Sequence, residues 1–395
     1  MQYFPRTYAL LALATLACAP REDASDSTGS QNTASTGSGD PQEESSTSRA
    51  ESDSSSNGED TGEPSTSTSG QIDESPYQEI LDGVDAPGAQ LVVVEADGDV
   101  WVGATGDATE GEPMTIGHHL LIGSNTKTWT AAIVLMLVDE GALTLDDSAS
   151  TWVPALDPGI SVRNLLQHTS GLGDYNEHPD MEGHVGDMWT PDELITLGQD
   201  VRNDGPGASV YSNTNFIALG LIIESIEGPY PEVLQSRVLG PLGLEDSGLV
   251  EDLDILPDDM AFGDGGAFGV VTPEHPSVGW SAGAGYSTAQ DLSTFYRAML
   301  AGELYDGSLL REQLAAVPSD LGFGQPGVSE GYGLGLMVLG VGDQVLTGHL
   351  GSLTGFHSWG LRDDESGALA VILTNNSDIT SVPVVLEALS VAASG

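Results

Sequence analysis

Apolar residues are distributed unevenly along the 395-residue chain. A short apolar run covers residues 8–17, and residues 19–74 are then almost wholly Ser, Thr, Gly, Asp and Glu. Patterned sequence begins at Ser75. The stretch AQLVVVEADGDVWVGATGDA (89–108) sets two β-rich runs around Asp97-Gly98, which predicts a hairpin. Residues 124–140 carry helical apolar spacing and stop at Gly141, a residue suited to ending a helix. Between 145 and 330, short helices alternate with long Gly/Pro/Asp loops. NFIALGLIIESIEG (215–228) and TAQDLSTFYRAMLAGEL (288–304) are the clearest of these helices. Four strand-like runs follow: GYGLGLMVLG, DQVLTGHLG, GFHSWGLRD and GALAVILTNN. Turn signals separate them, predicting an antiparallel meander over 331–376, closed by a helix near 381–393. The expected fold is α/β of the α+β kind. One antiparallel sheet is built from both chain ends and flanked by helices, with a mostly helical subdomain inserted between.

Charge narrows the partners. The net charge is −50, and it does not reside in a tail: residues 75–395 hold 47 acids against seven basic residues, a net of −40. Such a surface repels nucleic acid and anionic membrane faces. Residues 19–74 lack the apolar surface to offset their chain entropy and read as a disordered acidic tether. Ahead of them, Arg6, ten apolar residues and Ala17-Cys18 resemble the export signal of a bacterial lipoprotein. Leu16 and Thr15 depart from that pattern. The run is too short to span a bilayer. Cys18, the only cysteine, is the expected lipidation site and the expected means of membrane attachment. The location implied is the cell envelope, or the medium if the signal is simply cleaved. The globular domain is expected over 75–395.

The chemistry centres on SNTK (124–127). Lys127 is the only lysine; the other nine basic residues are arginine. Positions i and i+3 share a helix face, so Ser124 and Lys127 can touch. A serine hydroxyl needs a nearby base, and a lysine serves only when neutral, a state that burial favours. The apolar AAIVLMLV that follows supplies that burial. Serine is common in this chain, so the pair alone is a weak signal, and a capped core helix is the bland alternative.

Two further motifs strengthen it: Tyr211-Ser212-Asn213 and His349-Leu350-Gly351. With these the chain resembles the penicillin-recognising serine hydrolases: D-alanyl-D-alanine carboxypeptidases, class C β-lactamases and related esterases. That family carries S-x-x-K, Y-x-N and [KH]-x-G in this order. LLQHTSGL (165–172), PLGLEDSG (241–248), SAGAGYSTAQDLSTF (281–295) and GYGLGL (331–336) extend the likeness over about 90–380. The resemblance implies Ser124 as nucleophile, with Lys127 and Tyr211 sharing base and proton-shuttle work. Asn213 would hydrogen-bond the substrate or Lys127, and His349 would open the third motif. It implies backbone N–H groups of Ser124 and Ser352 as the oxyanion hole, with Leu350 and Gly351 near the substrate. Trp280 reads equally as a pocket-lining residue or a packed core residue. No cofactor or metal is implied.

Two departures bear on substrate. Leu350 replaces a hydroxyl residue, and Met337-Val338 carries no charge where peptidases hold a free carboxylate. An esterase or amidase acting on a small-molecule, peptide or ester substrate is the expected function. A carboxypeptidase or β-lactamase, and an inactive binding module, are the alternatives. GVSEG (327–331) mimics a nucleophile elbow but lacks the strand before and helix after that it needs. His118-His119 has no third metal ligand in register, and His168 reads as core.

Overall fold

The computed structural model describes residues 75–263, 271–321, 328–376 and 381–394. The expected export signal, Cys18 and the acidic tether lie outside the described residues. No helix among the described residues is long and apolar enough to cross a membrane.

A ten-stranded sheet organises the domain. Its main strands are β1 (Gly88–Val94), β2 (Val100–Thr109), β3 (Val328–Tyr332), β4 (Met337–Val341), β5 (Gln344–Leu353), β6 (Phe356–Asp363) and β7 (Leu369–Thr374). They run in the order β2-β1-β7-β6-β5-β4-β3. Short strands extend both edges: Glu112–Pro113 beside β2, then Val317–Asp320 and Ser209–Val210 beyond β3. The first and last main strands meet in the middle, Leu91 opposite Ile372 and Val93 opposite Ala370. All pairings are antiparallel except Ser209–Val210 on Val317–Asp320. The first expected C-terminal strand is in fact two, β3 and β4, because residues 333–336 turn. Gly335 there has φ +82°, and a Cβ would sit 2.3 Å from the Ala131 Cβ. Only glycine satisfies both demands.

Both faces of the sheet are covered, so β1 and β7 are buried at every position. On one face pack α1 (Pro76–Asp82) and the C-terminal α7 (Val382–Ala392), against Leu91, Val93, Trp359, Leu361 and Ile372. On the other lies the helical subdomain: α2 (Thr126–Asp139), α3 (Pro191–Val201), α4 (Asn213–Glu227), α5 (Pro276–Gly283) and α6 (Ala289–Ala301). Trp129, Ile133, Val134 and Leu137 of α2 are buried, which explains the unbroken apolar run over 131–138.

Candidate active site

Ser124 lies in a tight turn, Gly123–Asn125, that feeds directly into α2. Two glycines set the approach of β5. Gly351 has no room for a side chain: a Cβ would come within 1.8 Å of the Ile122 carbonyl oxygen. Gly123 has φ +50°, and a Cβ on it would lie 2.8 Å from the Ser352 nitrogen. The glycine of His349-Leu350-Gly351 is therefore what lets β5 pass against the serine turn and bring Ser352 beside Ser124. The turn is pinned further by Ser358 Oγ, which donates to the Ile122 carbonyl at 2.7 Å and accepts from Asn125 Nδ2 at 2.7 Å. Tyr296 donates to Asn125 Oδ1 at 2.6 Å. Neither Tyr296 nor Ser358 carries a sequence signal, because each belongs to an ordinary-looking helix or strand.

Lys127 is fully buried at the second position of α2. Its Nζ lies 2.9 Å from Ser124 Oγ, 2.7 Å from Asn213 Oδ1 and 2.6 Å from the Ala282 carbonyl. It also sits 5.1 Å from the centre of the Tyr211 ring. Desolvation lowers its pKa to about 7, with Asp174 pulling the other way.

Tyr211 and Asn213 flank Ser212 at the start of α4. The Tyr211 phenol hydrogen-bonds Ser124, and burial pushes its pKa far up, so it keeps its proton. His168 supports this segment. It is buried in a left-handed conformation with φ +56°. Its ring centre lies 4.4 Å from that of Tyr211, and Nδ1 accepts from the Ser212 N–H at 3.3 Å.

His349 is buried on β5, with Nε2 2.8 Å from the Tyr332 hydroxyl and Nδ1 2.5 Å from the Leu350 carbonyl. Burial lowers its pKa to about 3. It therefore stands neutral beside Tyr211, ring centres 6.3 Å apart, and has no contact with Ser124.

A cavity of about 630 Å³ opens over Ser124. Asn213, Val278, Ala282, Ser352, Leu353 and Thr354 are among its walls. Glu177, Glu182 and Glu274 also line it, with no lysine or arginine among the described lining residues. Glu274 bridges its loop to the β5–β6 turn, accepting from the Thr354 N–H at 2.9 Å and hydroxyl at 2.7 Å. A second cavity of equal size, lined by Glu95, Arg297 and Arg362 among others, does not reach Ser124.

Two expected wall residues are elsewhere. Trp280 breaks α5, with φ 35° and ψ −123°. Its ring packs edge-on against Tyr230, so Val278 and Gly279 of the same helix face the cavity instead. Leu350 packs among core residues and is not part of the wall. Gly351 acts through its missing side chain, beneath Ile122. Ser329 of the GVSEG stretch lies exposed in β3. His118 Nδ1 contacts Thr115, and His119 Nδ1 contacts the Asp258 carbonyl. No group of metal-binding side chains forms among the described residues.

The residue that sequence reasoning missed is Asp174. Its carboxylate accepts from Asn213 Nδ2 at 2.8 Å and from the Asn213 N–H at 3.2 Å. It also caps the turn Tyr175–Glu177, accepting from the Asn176 N–H at 3.0 Å. Burial raises its pKa.

The family model described as Beta-lactamase matches residues 77–389. The chain belongs to the beta-lactamase family. It is 28% identical over 345 residues to penicillin-binding protein 4 of Amycolatopsis lactamdurans, covering 78% of this chain and 87% of that one. It is 27% identical to a D-aminopeptidase of Brucella anthropi, covering 72% of this chain but only 56% of that relative. This chain thus spans little more than half of the aminopeptidase. The crystal structure of D-amino acid amidase from Ochrobactrum anthropi SV3 superposes with a TM-score of 0.70 at 29% identity, covering 80% of this chain and 99% of that one. The chain is a serine hydrolase of the beta-lactamase fold.

Proposed function

We propose that this hydrolase cleaves amides or esters whose acyl part carries a free amino group, through an acyl-enzyme on Ser124. The observation that carries the reading is the fully buried Lys127, in contact with Ser124 Oγ at 2.9 Å and held near neutrality by desolvation. Neutral Lys127 takes the Ser124 proton as Oγ bonds to the substrate carbonyl carbon. The oxyanion forms against the N–H groups of Ser124 and Ser352 at the head of α2. Collapse breaks the bond to the leaving amine or alcohol. That group receives a proton from Tyr211, which regains one from Lys127. Water then releases the acid by the same steps reversed.

The wall chemistry supports the substrate class. Glu177, Glu182 and Glu274 line the cavity, and no lysine or arginine among its described lining residues offers a partner to a free carboxylate. A cationic amine is favoured there and an anion is not. D-amino acid amides, the substrates that the amidase relative's name indicates, have this charge.

The test compares D-phenylalanine amide with its N-acetyl form, alongside labelling by a fluorophosphonate and a fluorescent penicillin. We expect at least about tenfold preference for the free amine, with Glu274→Gln reducing it by removing one of three negative charges. Fluorophosphonate labelling should disappear in Ser124→Ala. Equal turnover of both amides overturns the substrate class. Rapid labelling by the penicillin, which carries a carboxylate, favours the penicillin-binding alternative. Label surviving in Ser124→Ala overturns the mechanism.

A further inference from the structure

The three partners of Lys127 differ in what they can do. The Ala282 carbonyl can only accept, and it lies in the last turn of α5, where carbonyls lack intrahelical partners. Ser124 can donate or accept. Asn213 could in principle present either end of its amide. The end that faces Lys127 is Oδ1, at 2.7 Å, because Nδ2 is committed to Asp174 at 2.8 Å. A carboxylate accepts and does not donate. Turning the amide over would set oxygen against oxygen at Asp174, and N–H against N–H at Lys127. Asp174 is itself fixed by the backbone N–H groups of Asn213 and Asn176, at 3.2 and 3.0 Å.

A neutral lysine has two N–H bonds and one lone pair. Ala282 and Asn213 Oδ1 take the two N–H bonds, which leaves the lone pair facing Ser124 Oγ. We infer that Asp174 is a positioning residue for acylation: by fixing the Asn213 amide, it aims the Lys127 lone pair at the Ser124 hydroxyl. The inference rests on the Ser124–Lys127 assignment above, and it places Asp174 one residue removed from the reacting atoms.

Asp174 also acts through its charge. The titratable groups around Lys127 are Tyr211, His168, His349 and Asp174, with Tyr175, Glu177, His178, Glu182 and Glu274 on the cavity wall beyond. Burial keeps Tyr211 protonated and both histidines neutral. Among these inner groups Asp174 alone can be anionic. Burial raises its own pKa, but where it is ionised its charge opposes the desolvation of Lys127, so losing that charge lets the lysine pKa fall further.

The experiment measures the second-order rate of fluorophosphonate acylation of the full chain from about pH 5 to 9. Its variants are Asp174→Asn, Asp174→Leu, Asn213→Ala, the Asp174→Asn/Asn213→Ala pair and Ser124→Ala, each checked for folding by circular dichroism. Asp174→Asn keeps an acceptor oxygen but removes the charge. Its acid limb should move down by roughly half to one pH unit, and its plateau should fall about tenfold. Asp174→Leu removes both and should lose about a hundredfold or more. If Asp174 acts through Asn213, the paired variant should be no slower than Asn213→Ala. Should Asp174→Leu misfold, the Asp174→Asn profile and the pair still decide. An unmoved acid limb in Asp174→Asn, or losses that multiply in the pair, overturns the inference. Labelling of Ser124→Ala would instead overturn the nucleophile assignment beneath it.

Discussion

The two faces of the central sheet bury their residues by opposite means. The face under α1 and α7 is closed by apolar contact: Leu91, Val93, Ile372, Val385 and Leu389 meet there. The other face buries polar groups as well, among them Lys127, Asn125, Ser358 and His349. Each is held by specific hydrogen bonds. Alternate residues of the same strands serve both faces: Val371 and Leu373 point to one, Ala370 and Ile372 to the other. Burial without partners is costly for polar side chains, so the active face must hydrogen-bond most of what it desolvates; His168 Nε2 and Trp129 Nε1 are exceptions. That demand gives Lys127 its useful pKa, and it makes activity and stability separable by face.

The sharpest test of that separation is Lys127→Arg. An arginine stays charged at every working pH and cannot accept the Ser124 proton. Acylation by a fluorophosphonate should fall by at least about a thousandfold, the scale of losing the base of a catalytic group. Wild-type activity should rise with an acid limb near pH 7, because Lys127 titrates there in the folded enzyme. The sign follows from its depressed pKa: the amine is charged and inert below about 7, and free to act above it. A Lys127→Arg enzyme acylating at the wild-type rate would place the base elsewhere.

The opposite face supplies the complementary perturbation. Leu389 of α7 is 1% exposed. Leu389→Ala should cost about 2–4 kcal/mol of stability by opening a cavity. This is measurable as a drop in urea midpoint, while kcat/KM and its acid limb stay unchanged in the folded enzyme. A shifted acid limb in Leu389→Ala would show that the faces are coupled.

What was readable beforehand divides along the same line. The sheet from both chain ends was legible, because unbroken apolar runs such as LVVV and LAVIL mark strands covered on both faces. Ser124, Lys127, Tyr211 and Asn213 stood out through three motifs shared with the penicillin-recognising hydrolases, not through spacing alone, and the fold brings these residues together. Asp174 was not, since one more aspartate in a chain with 60 acids carries no signal until Asn213 is seen to touch it. The kink at Trp280 escaped for a related reason: apolar periodicity reports which residues are buried and says nothing about a φ of 35°. The edge strands Val317–Asp320 and Ser209–Val210 are too short and too polar to stand out.

His349 offers the smallest effect and the finest discrimination. Its place in the third motif gives it a catalytic appearance, yet its pKa of about 3 leaves it neutral across the working range. Its Nε2 is engaged by Tyr332 rather than by Ser124. A group that does not titrate near neutrality cannot set the acid limb there. It can still hold Tyr332, whose ring centre lies 4.4 Å from that of His168, behind Tyr211. His349→Asn should therefore lower kcat/KM by no more than about tenfold, through loosened packing behind the phenol, and leave the acid limb near 7. If the limb moved in His349→Asn while the thermal midpoint held, the proton inventory of this face would have to include the histidine, and Lys127 would not be acting alone.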